Sequence, residues 1–600
     1  PYGTGNAIQQ AIHSILPKKT TERSWEVKRN VNGYYDVLTQ YAMPVTVTET
    51  VYGNSTAAAI DPAYAAWQYG CATSVVATTY QAANYPSGSF DFKKAISNTY
   101  DNTFDPGTWW LCRLRTATTT SSQQVYNDSE TSQIKFAAET RTAGFDYRTD
   151  NGLMLRELVQ PGGDVTVALT TEYDYDTFGN RIQATATGWA SSSQQAQART
   201  SKSTFAAPGA VAGRFLATAE NAMGPTHISK FEFEPLRGQQ TKVTDPNLLV
   251  AQTKYDNLGR KVTDLHSDGT KTAYSYVASS FGGVAVTSRS TGGAEAVAES
   301  DRLGREVRKK IKVSDNGTIR WSCVDTVYDA RGRVDKTSRP YWCGGTPVFA
   351  VARVYDDLDR VTSETVTGDE SAGVTTSTTV STDYRGLQTV VTSSGYVADD
   401  SPLPRASVRV VTTTRDARGA VASVARADAA TITHAYDAAG NLRRTARTSG
   451  ADKMVTAIDY DLRGRKTSMS DPDTGTYQYT YNAFGELITQ IDGKATTTNS
   501  EYDLLGRLKR RWNSQADHES TYDYDGVGLT GCTMSIGKLC RATAFGVRSP
   551  SGQAAVAGYQ RDIRYDAKGR PSTETTVIAA NNTGVGAGAV GARQYTASTS

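Results

Sequence analysis

The sequence predicts an all-β protein built as a long, spiralling antiparallel sheet, and three observations predict it. A short motif, Y-D-x-x-G-R, recurs down the chain with hairpin-like spacing. The stretches between copies are rich in Thr, Tyr and Val, which favour strands. Core-forming residues are scarce: removing Tyr (33 of 600) from the 38% hydrophobic total and adding Gly (52 of 600) leaves roughly 41%. Typical globular domains hold about 45–50%. Abundant Tyr, Thr and Val argue against disorder, so the composition suits thin β walls wetted on both faces.

The motif gives each hairpin its turn. Good copies are Tyr175, Asp176 and Gly179; Tyr255, Asp256, Gly259 and Arg260; Tyr328, Asp329, Gly332 and Arg333; Tyr436, Asp437 and Gly440; Tyr460, Asp461, Gly464 and Arg465; Tyr502, Asp503, Gly506 and Arg507; and Tyr565, Asp566, Gly569 and Arg570. Weaker copies centre on Gly304, Gly386, Gly419 and Gly485, and eroded ones on Gly209 and Gly238. In YDDLDRV, Asp359 stands where the glycine belongs, and Ala206 replaces a motif Asp. Asp suits the first position of a type I turn, where its carboxylate accepts backbone N–H groups two residues on. Glycine three residues later supplies the left-handed conformation that lets the return strand pair. Tyr before the turn and Arg after it are expected to stack across the same hairpin, worth roughly 0.5–1 kcal/mol.

The spacing fits this reading. Most neighbouring copies lie 21 to 33 residues apart, and the intervals 238–259, 419–440, 464–485 and 485–506 are each 21. That is two strands of roughly seven residues plus two turns. The gap of 63 between Gly506 and Gly569 predicts unrecognised copies inside it. GVTTSTTVSTDY (373–384) and TGTYQYTYNAF (474–484) show partial alternation, and only NAIQQAIHSIL (6–16) has a helical look. Isolated hairpins are marginal, so neighbours must pair into a continuous sheet that curls as its twist accumulates.

Other features carry less. The 64 basic and 61 acidic side chains are interspersed, leaving a net charge of +3. That balance predicts no footprint for nucleic acid or anionic membrane. The basic LKRRW (508–512) reads as a solvated strand end, and no run of 18 apolar residues exists to span a membrane. Cysteines fall into three sequence pairs, Cys71 with Cys112, Cys323 with Cys343, and Cys532 with Cys540, compatible with disulfides in an exported protein. None has CxxC spacing and the five His lie far from them, so no metal or cofactor site is expected. About a dozen copies of one Asp would imply a dozen equivalent sites, which favours a turn role over the paired-carboxylate chemistry of glycoside hydrolysis. His434, just before a turn motif, reads as a strand position, since no GxSxG elbow accompanies it. Trp109 and Trp110 read as a junction anchor rather than a sugar platform, and DPDTG (471–475) as a turn rather than a calcium loop.

These motifs resemble those of the Rhs/YD-repeat family, most closely the shell-forming part of toxin-complex B/C components and bacterial Rhs polymorphic toxins. TDPNLLVAQTKYDNLGRKVTDLHSDGTKTAYSY (244–276) is similar to the family's repeat style. SWEVKRNVNGYYDVLTQYAMPVTVTETVYGN (24–54) and ISNTYDNTFDPGTWWLCRLRTATTTSS (96–122) look like the region that leads from an upstream propeller into the repeats. The resemblance implies that residues 125–600 form part of a hollow β shell, with residues 1–124 a β-rich connecting region. It further implies a secreted, non-enzymatic container for a C-terminal toxic polypeptide, with other toxin-complex or secretion components as partners. The family's aspartyl autoprotease signature is not found in context: DPGT (105–108), Asp245-Pro246 and Asp471-Pro472 lie elsewhere, and no protease residue is carried over. Because the chain opens on Pro1 and stops in TASTS, it is read as a piece of a longer protein. The wider family also includes cell-surface proteins, which leaves a carbohydrate-binding adhesin as the alternative.

Overall fold

The computed structural model describes residues 19–24, 45–53, 71–80, 89–103, 110–126, 136–190, 196–206, 211–371, 374–397, 405–449, 452–513, 519–545, 557–578 and 593–598. These residues form 41 strands in one antiparallel sheet, and no helix occurs among them. The helical-looking stretch at 6–16 lies outside the described residues, as do Gly209 and Trp109.

Strand order follows chain order. Met154–Val159 pairs with Leu169–Tyr175, which pairs with Arg181–Trp189, which pairs with Ala196–Thr204. The same succession continues to Pro571–Ile578 and Arg593–Ser598. Short connections make each hairpin the cheapest partner for its neighbour, because loop-closure entropy grows with the residues enclosed. One departure occurs. Thr318–Tyr328 pairs with Val334–Ser338 near its end and with the two-residue strand Tyr341–Trp342 further back. The disulfide Cys323–Cys343 pins that return. Trp110–Tyr126 pairs with Glu139–Tyr147, so the sheet runs on either side of position 124.

The wall is one sheet thick. Among the described residues only thirteen hydrophobic side chains are buried, and six are alanines and three cysteines. A second layer would bury large aliphatic side chains from facing surfaces. The low apolar content therefore has a structural counterpart.

The sheet is not closed strand to strand, yet it returns to itself. Asn482 Nδ2 donates to Ala190 O across 292 residues, and Arg199 pairs with Glu486 across 287. Arg465 Nη2 donates to Thr166 O across 299 residues, and Asn247 Nδ2 to Ile536 O across 289. Strands paired in order whose contacts recur at one nearly constant separation describe a spiral. One lap takes roughly 290–300 residues, and the second lap sits edge-on against the first.

Candidate functional element: the turn rim and the seam between laps

The motif turn has one geometry throughout. At Asp256 the backbone N–H donates to Arg260 O (2.9 Å), and Gly259 N–H donates to Asp256 O (2.9 Å). Asp256 Oδ1 accepts the N–H groups of Leu258 and Arg260, both at 2.9 Å. Arg260 Nε then donates to Asp256 Oδ2 at 2.7 Å. Gly259 has φ 79°, the left-handed region that closes a type I turn into a bulged hairpin. The copies at Asp329, Asp461, Asp503 and Asp566 repeat the Arg Nε contact, through Arg333, Arg465, Arg507 and Arg570, at 2.6–2.9 Å. At Asp176 and Asp437, Asn180 and Asn441 stand in for Arg and donate Nδ2 to the same oxygen (3.0 and 2.9 Å). The remaining motif glycines 179, 332, 440, 464, 506 and 569 have φ between 73° and 93°. The N–H of Arg260 heads the interactions that hold the Asp256 carboxyl below the usual aspartate range; the N–H groups of Arg333 and Arg570 do the same for Asp329 and Asp566.

Eroded copies keep the turn by other means. Asn482 replaces Asp and still accepts from Phe484 and Glu486 (3.0 and 2.9 Å). Asp359 takes φ 63° in place of glycine. Gly386 is different: it sits in a two-residue connection between Arg385 and Gln388. Sequence reasoning missed several turns, those at Asp245–Leu248, His266–Gly269 and Asp492–Ala495 among them, and three more are instructive. Gly213, followed by Arg214, is left-handed close to the expected copy at Gly209. Ser279 takes the Asp position ahead of Gly282, with Ser279 N–H on Gly283 O at 2.9 Å. Inside the 63-residue gap, Asp525 N–H donates to Lys538 O at 3.0 Å, so one turn motif opens at Tyr524-Asp525 and closes at Gly537-Lys538. Its signal was hidden because eleven residues, 526–536, stand where the other copies have two.

The expected stacking of Tyr and Arg within one hairpin is overturned. Arg260 lies over Tyr276 (4.3 Å), not Tyr255. Arg305 lies over Tyr328 (4.6 Å), Arg333 over Tyr355 (4.5 Å), Arg360 over Tyr384 (4.2 Å), Arg465 over Tyr481 (5.1 Å) and Arg507 over Tyr524 (4.4 Å). Each tyrosine belongs to the following hairpin. At many copies the tyrosine hydroxyl donates to a carbonyl two residues past the preceding turn's left-handed residue: Tyr255 to Gln240 (3.0 Å), Tyr328 to Glu306 (2.8 Å), Tyr436 to Val421 (3.0 Å), Tyr460 to Leu442 (2.9 Å), Tyr502 to Leu487 (2.9 Å) and Tyr565 to Leu539 (2.7 Å). The physical reason is register. Tyr255 sits opposite Lys261 beside a bulge, which leaves Arg260 in the turn, between its own aspartate and the next hairpin. In the first good copy it is Tyr173, not Tyr175, that is engaged, bonding Glu157 (3.1 Å) beneath Arg181 (4.9 Å).

Motif turns of the second lap are also what meets the first. Arg199 forks onto Glu486 (2.7 and 2.8 Å) and lies 3.8 Å from the centre of the Phe484 ring. The side chains of that pair are only 14% and 12% exposed. Ala483 N–H donates to Trp189 O at 2.8 Å. Gly188 permits the approach, since a Cβ there would stand 2.6 Å from Ala483 Cβ. His227 Nε2 lies 3.4 Å from Asp525 Oδ2, both side chains buried. Arg418 covers Phe92 at 3.8 Å. Near Asp437 the seam brings Glu139 close: burial first, and then the Asp437 carboxylate, push the Glu139 carboxyl above its ordinary range.

The remaining candidates have ordinary surroundings. His434 sits in the strand Ala429–Tyr436, its Nδ1 3.1 Å from Thr445 Oγ1, and burial lowers its basicity. Asp471 accepts the N–H groups of Asp473 and Thr474 (3.0 and 3.1 Å), a turn. LKRRW lies in the strand Leu508–Asn513, with Arg510 paired to Glu519 at 2.7 Å. Cys532 and Cys540 are bonded to one another, and Cys112 is disulfide-bonded. Among the described residues no group of three or more His, Cys, Asp and Glu could hold a metal ion, and no helix is long and apolar enough to cross a membrane.

No family model matches the sequence, and no curated protein matches it. Solved toxin-complex structures do. The chain is similar to TcdB2-TccC3-TEV at 10% identity, over 93% of this chain and 44% of that one, with a TM-score of 0.37. TcdB2-TccC3 without its hypervariable C-terminal region matches at 10% identity over the same shares, 93% and 44%, with a TM-score of 0.38. The Photorhabdus luminescens Tc holotoxin pore matches at 9% identity over 89% and 44%, with a TM-score of 0.26. This chain thus spans less than half the length of the solved chains it resembles.

Proposed function

We propose that this chain is wall: residues from about 125 onward form part of a secreted shell that encloses a toxic polypeptide lying C-terminal to them. Residues 1–124 are the connection from an upstream domain, and other toxin-complex or secretion components are the partners. The observation that carries the reading is the seam. A sheet one layer thick returns after roughly 290 residues and docks rim to rim through Arg199–Glu486 and Asn482–Ala190. Docked laps extend the wall from one turn of the spiral to the next, and a wall needs no apolar interior. Its action is steric: cargo inside is kept from proteases and from the producing cell. The repeated Asp serves the turns, and no catalytic role is assigned to any residue.

The test is protection. Full-length protein is treated with a broad-specificity protease, and the fate of the segment C-terminal to the repeats is followed by mass spectrometry. Protection while the shell is intact, and digestion after denaturation, is the expected outcome. Immediate digestion of that segment in the native protein would sink the proposal.

A further inference from the structure

Among the described residues, the interrupted turn between Tyr524 and Lys538 differs from the other contacts of the seam. Elsewhere the motif turns themselves touch the first lap. Here the eleven residues 526–536, which stand where other copies have two, do so together with the motif Asp525, and the disulfide Cys532–Cys540 folds them back. Their C-terminal end reaches Asn247 in a two-way contact: Ile536 N–H donates to Asn247 Oδ1 at 2.8 Å, and Asn247 Nδ2 donates to Ile536 O at 3.0 Å. Asn247 is itself buried, in a turn held by Leu249 N–H on Asp245 Oδ1 at 2.8 Å. At the base of the insertion Arg507 forks onto Asp525 (3.0 and 2.7 Å), which faces His227 of the first lap. Ser535, beside Ile536, donates its hydroxyl to Cys532 O at 3.0 Å, tying the contact residue to the disulfide.

We propose that the 526–536 insertion is a disulfide-gated clasp between the laps. The intact Cys532–Cys540 bond holds Ile536 in register with Asn247, and its two-electron reduction by a small dithiol releases the contact. One thiolate of the dithiol attacks Cys532 Sγ and expels the Cys540 thiolate, which takes up a proton. The second thiol of the reagent then expels the Cys532 thiolate, leaving two cysteine thiols and a cyclic disulfide of the reagent. Cys540 is fully buried and Cys532 only 7% exposed, so the reagent reaches the bond once the loop lifts. The coupling is therefore reciprocal: the Asn247 contact shields the disulfide, and the disulfide holds the contact.

Both directions are measurable on the whole chain with dithiothreitol as the probe. In the first arm, alkylation and mass spectrometry follow reduction in the wild type and in Asn247→Ala. Loss of two hydrogen bonds is expected to speed reduction of Cys532–Cys540 on the order of tenfold. Reduction of Cys323–Cys343, which lies within one lap, should keep its rate. In the second arm, the double variant Cys532→Ser/Cys540→Ser is expected to raise hydrogen exchange across residues 221–249 while leaving 461–470 unchanged. Equal reduction rates in wild type and Asn247→Ala overturn the clasp, and so does unaltered exchange at 221–249. Should the cysteine variant fail to fold, the Asn247→Ala arm decides alone.

Discussion

If the tyrosines join neighbouring hairpins rather than bracing their own, Arg260 must couple energetically to Tyr276 and not to Tyr255. Tyr276 makes two contacts with the preceding hairpin, its hydroxyl on Lys261 O at 2.8 Å and its ring under Arg260 at 4.3 Å. The hydrogen bond contributes about 0.5–1.5 kcal/mol net. The cation–ring contact adds about 0.5–1 kcal/mol at a partly exposed site. Tyr276→Phe should therefore cost about 1 kcal/mol, and Tyr276→Leu about 1.5–2.5 kcal/mol. Arg260→Ala loses the ring contact together with its solvent-screened pair to Asp256. Combining Arg260→Ala with Tyr276→Leu should leave a coupling of about 0.5–1 kcal/mol, whereas Arg260→Ala with Tyr255→Leu should be additive within about 0.3–0.5 kcal/mol. A repeat array opens locally, so the measurement is native-state hydrogen exchange of the amides in Lys261–Leu265 and Lys271–Ala278. Coupling to Tyr255 with additivity at Tyr276 would refute the inter-hairpin staple.

Further predictions concern the seam and its pH response. Gly188→Val places side-chain atoms where Ala483 Cβ would be 2.6 Å away, so the laps should part there; faster exchange in both 181–189 and 482–491 is expected, and change confined to 181–189 would count against docking. Glu486→Ala strands the guanidinium of Arg199 in a nearly dry site and should cost about 3–5 kcal/mol of local stability, read by exchange or proteolysis on both sides of the seam. Two opposite responses to pH follow from the carboxyl groups. Asp256, Asp329 and Asp566 are held below their unfolded value near 3.8, so the stability they add is present above it and is lost as pH falls through the depressed folded values. Glu139 is raised above 4.5, so its contribution is present below 4.5 and is lost as pH rises through the raised value. Exchange corrected for intrinsic rate between about pH 3 and 7 should show the turns loosening at the acid end and the Glu139 strand loosening toward neutrality.

Much of the turn chemistry was legible because it is local. Asp256 to Arg260 is a five-residue event whose hydrogen bonds need nothing from elsewhere, and the same letters report it at Asp329, Asp461, Asp503 and Asp566. The turn at Asp525 escaped notice for the converse reason, since an insertion separates letters that the fold keeps together. Neither Gly188 nor Asn247 carries a sequence signal, because a glycine in a strand and an asparagine in a turn look the same wherever they point.

The sequence alone determined that this chain is all-β, that its hairpins repeat, and where most of them turn, since these depend on side chains a few residues apart. The tertiary structure alone decided which hairpin each tyrosine serves and which residues of the first lap meet the second. Those pairings follow from the register of each bulge and from twist summed over roughly 290 residues. A small change in twist per strand would bring a different residue opposite Gly188, so no local pattern can encode its meeting with Ala483.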